Sequence, residues 1–190
     1  MASLVLSGDT SGSVTLAAPA VAGSTTQTLV NVTGTLAPLV AGTAQASTSG
    51  TSIDFTGIPS WAKRITVMFN GVSTSGTSSV IVQLGDSGGI ETTGYVGSGA
   101  NGANASVAFT TGFPATILVL AANTSNGLVT IATLGANAWA ATSLMGVSAG
   151  GNQQYGGGSK TLSDTLTQVR ITTVNGTDTF DAGTINILYE

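Results

Sequence analysis

The chain has 190 residues, a net charge of −4 and a charged fraction of 6%, against ~25% in ordinary soluble domains. With four cations, no His and no Cys, three kinds of chemistry are excluded: a phosphate-neutralising nucleic-acid surface, a Ser-His-Asp or Cys-His nucleophile system, and an ordinary zinc site. Low charge combined with 42% hydrophobic residues and a mean hydropathy of +0.39 is the opposite of a disordered balance, so the chain is expected to fold, as one domain or one domain with a small appendage.

Residues 1–45 are expected to behave differently from the rest. Asp9 is their single charge and they hold no aromatic side chain. Short apolar pieces around Leu4, Leu6, Val14, Leu16 and Leu29 alternate with Gly, Ser and Thr, a spacing that suits short strands and tight turns. Their few large aliphatic side chains return less on burial than backbone ordering costs. The segment should therefore order against copies of itself or against a host surface, with those five residues as docking and trimerisation candidates. Its start carries no Lys or Arg and only a short apolar run, unlike a signal peptide. The longest apolar run, residues 117–122, is too short to cross a bilayer, so no membrane insertion is expected.

A polar linker around residues 43–52 puts the boundary at 45/46. Beyond it, residues 46–190 read as alternating strands: 52–55, 64–69 (ended by Asn70-Gly71), 79–84, 106–110, 117–120, 128–134, 138–144, then a closing pair separated by an Asn-Gly-Thr-Asp turn. About eight strands at such intervals predict an all-β, antiparallel β-sandwich of jelly-roll type. Leu162, Leu166 and Val169 fall at helical spacing, but the β-branched run that follows favours loop and then strand.

Candidate chemistry is sparse. Asp54, Asp86 and Glu91 are the carboxylates that a glycosidase-like pair could use, although chance pairing explains them better, and no enzyme activity is expected. Asn175, Asp178 and Asp181 are hard oxygen donors in a loop where Asn and Asp also act as ordinary turn formers; no metal or other cofactor is expected. Gly156-Gly-Gly-Ser-Lys160-Thr161 lacks the Gly before Lys and the following helix of a phosphate-binding loop, and reads as a flexible surface loop. Trp61, Trp139 and Tyr95 are expected in the core or an interface. Tyr155, at a loop tip, with Asn101 and Asn104, is the candidate contact for a host-cell glycan.

Two stretches carry a resemblance. One is Thr51-Ser-Ile-Asp-Phe-Thr-Gly-Ile-Pro-Ser-Trp-Ala-Lys-Arg-Ile-Thr-Val-Met-Phe-Asn-Gly-Val72, with Gln83-Leu-Gly-Asp-Ser-Gly-Gly89 and Glu91-Thr-Thr-Gly-Tyr95. The other is Val169-Arg-Ile-Thr-Thr-Val-Asn-Gly-Thr-Asp-Thr-Phe-Asp-Ala-Gly-Thr-Ile-Asn-Ile-Leu-Tyr-Glu190. Together they resemble a family of tailed-bacteriophage virion proteins, the fibre and head-decoration proteins. The early segment Leu6-Ser-Gly-Asp-Thr-Ser-Gly-Ser-Val-Thr-Leu-Ala-Ala-Pro-Ala-Val-Ala-Gly23 is similar to a β-motif near the start of many phage fibre proteins, except that Val30 and Asn31 stand where a Leu-Pro pair usually precedes Thr-Gly-Thr. The resemblance implies a virion component, commonly a homotrimer, docked at one end on the major capsid protein or another virion protein and exposed on the particle exterior. It brings no catalytic residue. With no long shaft in the chain, a capsid head fibre or decoration protein fits better than a tail-associated fibre or receptor-binding protein.

Overall fold

A computed structural model describes residues 3–7, 11–17, 37–102, 106–117, 120–148 and 153–190. The chain divides into two compact units, Met1–Leu36 and Ala37–Glu190. In the first, β1 (Ser3–Ser7) and β2 (Ser13–Ala17) form an antiparallel hairpin whose register sets Leu4 opposite Leu16 and Leu6 opposite Val14. Val5 and Leu6 are exposed. Leu29 lies outside the described residues.

The second unit is all β among its described residues. Its strands are β3 (Val40–Ala41), β4 (Gln45–Ala46), β5 (Ser52–Thr56), β6 (Arg64–Thr74), β7 (Val80–Asp86), β8 (Gly89–Ile90), β9 (Val96–Asn101), β10 (Ser106–Phe109), β11 (Phe113–Pro114), β12 (Ser125–Gly135), β13 (Ala138–Val147), β14 (Gln153–Thr161), β15 (Gln168–Thr173) and β16 (Phe180–Tyr189). They form two antiparallel sheets. The larger runs β10-β9-β14-β13-β12-β6-β16-β3, with β4 also on β16; the smaller runs β11-β7-β15-β5, with β8 on β7. This unit begins at Ala37, ahead of the boundary read at 45/46, because β3 and β4 add to the edge of β16.

One apolar cluster takes side chains from both sheets, including Val67, Val129 and Ile185 from the larger and Val82, Leu84 and Ile171 from the smaller. Strict alternation produces this. In β6, Ile65, Val67 and Phe69 are buried while Arg64 and Asn70 are exposed and Thr66 and Met68 half-buried, as a period of two dictates. β7 is different: it is buried along its whole length. Its inner residues join the main cluster, while Ile81 packs with Phe109 and Ile117 in a second cluster on the other side.

Several expectations change. Asn70-Gly71 does not end β6; it makes a bulge. Gly71 takes φ +65°, the register with β16 shifts nearby, and facing it a Cβ on Gly183 would lie 2.5 Å from the Gly71 carbonyl oxygen. Where a strand is expected at 117–120, Ile117 is a buried bend and Leu120 is in no strand; residues 118 and 119 lie outside the described residues. One expectation holds: residues 162–167 form a loop before β15, exposed at Ser163, Asp164 and Thr165 and buried at Leu162 and Leu166.

The largest correction concerns the glycine run. Residues 153–161 are not a flexible loop but β14, hydrogen-bonded between β13 and β9. Gly156 faces Gly99 and Gly158 faces Gly97. A Cβ on Gly156 would stand 2.6 Å from Pro114 Cγ, and one on Gly158 would stand 2.7 Å from the Val96 carbonyl oxygen. The glycines permit close packing of backbone against backbone, which is a different use from loop flexibility.

Candidate functional site

Apart from the Asp54–Arg170 pair, the chemistry-bearing residues separate into three places, two of which are structural ties. At one end of the sheets, Asp86 closes β7. Its Oδ2 accepts hydrogen bonds from Ser163 Oγ at 2.7 Å and the Asp164 amide at 3.0 Å, and its Oδ1 accepts one from the Gly88 amide at 2.8 Å. Beside it, Glu91 Oε1 accepts from the Ser163 amide at 2.7 Å, and Oε2 pairs with Lys160. The Lys160 side chain is 6% exposed and its Nζ lies 5.4 Å from the centre of the Tyr95 ring, near enough for a cation–π contact. The Tyr95 hydroxyl accepts from the Leu84 amide at 2.7 Å and donates to the Glu91 carbonyl at 3.1 Å, and its ring meets Phe113 edge-on.

These contacts bear on the paired-carboxylate reading. Asp54 is elsewhere, held in a two-pronged pair by Arg170 at 2.7 Å and 2.7 Å across β5 and β15. The Asp54 contact in turn raises the Arg170 pKa. Asp86 and Glu91 do come together, but the Ser163 hydroxyl holds Asp86 below the usual carboxylate range and Lys160 does the same for Glu91. A glycosidase acid requires a carboxyl that keeps its proton. Here both are held ionised. Burial pushes the Tyr95 phenol up, so it stays protonated and keeps its hydrogen bonds.

At the opposite end, Asn175 and Asp178 build a turn. Asn175 Oδ1 accepts from Thr173 Oγ1 at 2.8 Å and from the Thr177 amide at 3.0 Å, and Asn175 Nδ2 donates to Asp178 Oδ1 at 2.7 Å. Asp178 Oδ2 accepts from the Ser78 amide at 3.0 Å. Asp181 is on β16, bonded to Ser73 Oγ. Of the three calcium candidates, Asn175 and Asp178 are bonded to each other and Asp181 is engaged apart from them, and among the described residues no group of three or more acidic, His or Cys side chains is placed to hold a metal ion.

The third place is a surface. Tyr155 is 54% exposed, on β14 rather than at a loop tip. Asn101 does not share its face: Asn101 is registered opposite the buried Gln154, and Tyr155 opposite Ala100, so they point to opposite sides. Asn104 lies outside the described residues. Register instead brings Leu144 beside Tyr155, Leu128 beside Leu144 and Met68 beside Leu128. Sequence reading missed this row because its members are far apart in the chain and each looks like an ordinary strand residue. Trp139 and Tyr95 are buried as expected, whereas Trp61 is partly exposed against Tyr189.

No family model, curated protein or solved structure matches this chain.

Proposed function

We propose that the chain is a structural protein of a bacteriophage virion, a capsid head fibre or decoration protein. In this reading it is a homotrimer on the particle exterior, the N-terminal segment attaches to the major capsid protein or another virion protein, and the C-terminal domain projects outward with weak host-surface adhesion. The two sheets would form a sandwich of jelly-roll type. No enzymatic step and no cofactor enter the reading, and its partners exclude nucleic acid.

The observation that carries it is the resemblance in residues 51–72, 83–89, 91–95 and 169–190. Those residues build β5, most of β6, the end of β7, most of β15, and β16, strands that supply much of the core. The division into a small first unit and a larger second one also suits a docking segment followed by an outer domain. Tyr155, exposed on a sheet face, favours the second reading, a tail-associated fibre or receptor-binding protein that contacts a glycan.

The test is to image particles carrying the full chain and particles assembled with a chain lacking residues 1–45. The full chain should give density on the capsid and the truncated chain none. Density on the tail would favour the second reading. Absence of the full chain from purified particles would refute both.

A further inference from the structure

The outer face of the larger sheet is unlike the rest of the surface. Across β9, β14, β13, β12 and β6 its upper row is Ala100, Tyr155, Leu144, Leu128 and Met68, set side by side by the strand register. Leu144 is 61% and Leu128 48% exposed. Below them, in-register Thr142, Thr130 and Thr66 form a hydroxyl row. Across these five strands the single charged outward residue is Arg64, at the corner, and it is paired with Glu190.

We propose that this face is a homotypic contact surface, covered by a second copy of the chain. Two observations choose that occupant. The first is charge: every copy carries −4, so copies meet most readily where the acidic residues are absent, and Asp86, Asp164, Asp178 and Asp181 all lie on connections or strand ends away from these rows. Depletion of Asp, Glu and Lys with enrichment of Tyr and Met is also the composition of an interface centre. The second is size. The five strands, β9 to β6 in sheet order, at ~4.8 Å spacing and about six residues long, give a face of roughly 24 by 20 Å, or about 480 Å². That is more than half of the ~800 Å² per partner of a standard interface. A homotypic face would operate whether or not the chain sits on a virion.

The test uses the purified full chain. Sedimentation over a concentration series is compared for the parent, the double variant Leu128→Lys/Leu144→Lys, and Val174→Lys, an exposed residue on the connection between β15 and β16. The double variant should keep its far-ultraviolet circular dichroism and self-associate at least tenfold more weakly, while Val174→Lys matches the parent. Hydroxyl-radical footprinting of the parent, which needs no variant, should show Met68, Leu144 and Tyr155 protected at high concentration and oxidised at low. Parent-like association of the double variant, or footprints that do not change with concentration, would overturn the proposal. So would Tyr155 protection by an added glycan with no self-association. Particle imaging has no part in these readouts, so they stand or fall apart from the virion reading.

Discussion

The two ends of the sheet pair solve one problem with different chemistry. At each end several connections cross between the sheets, and neighbouring crossings are tied together. At the β7–β8 end the tie is ionic and centred on the buried Asp86 and Lys160, with the half-buried Glu91 and with the exposed Ser163 and Asp164 supplied by the connection from β14 to β15. At the other end the tie is made of hydrogen bonds on exposed or half-buried turns, with no ion pair among them. There the β6–β7 connection meets the β15–β16 turn through Ser75 with Thr179 and Ser78 with Asp178. Burial makes the difference. A charge removed from water needs a close partner, whereas an exposed turn can exchange its bonds with solvent at small net cost.

The largest expected effect lies at the buried end. Glu91→Gln leaves the Lys160 cation without its counter-charge; removing one partner of a buried pair costs about 3 kcal/mol, a fall of roughly 6–12 °C in Tm for a chain of this size. Thermal unfolding followed by circular dichroism measures it, and a Tm within a degree or two of the parent would mean the pair is unimportant.

Acid should separate the ends next. Asp86 and Glu91 have folded-state pKa values below their ordinary ones. Their contribution is therefore fully present above the ordinary carboxylate range and is lost as pH falls below about 4, through the depressed values. Urea midpoints from pH 7 down to pH 3 should drop for the parent and drop less for Glu91→Gln. Equal slopes would argue against this end as a source of acid sensitivity.

Asp178→Ala should have the smallest effect. It removes two accepted hydrogen bonds from a partly exposed turn, worth about 1 kcal/mol, or roughly 2–4 °C. A loss as large as that of Glu91→Gln would erase the contrast between the ends.

Much of this was legible in the sequence, but unevenly. Alternation in 64–69 and 128–134 announced β6 and β12 because a half-buried strand must alternate. The glycines of β14 hid a strand, since the usual cue is a β-branched side chain and here there is none. A signal was present: Gly97 with Gly99 and Gly156 with Gly158 share a spacing of two, which places each pair on one face of a strand. The ionic tie was invisible. Nothing near Glu91 in the chain points to Lys160, and Asp86 and Glu91 looked as much like paired acids as like a clasp.

The sequence by itself determined that this chain makes strands and turns, that it lacks the residues for several chemistries, and that Asn175 and Asp178 would turn the chain. Those properties are local, set by side-chain period and by hydrogen bonds within a few residues. Only the tertiary structure decided that β15 and β16, neighbours in the chain, belong to different sheets. It alone assembled Met68, Leu128, Leu144 and Tyr155 into one apolar row. Which strands become neighbours depends on the shared core and on backbone approach, and both depend on residues far apart in the chain.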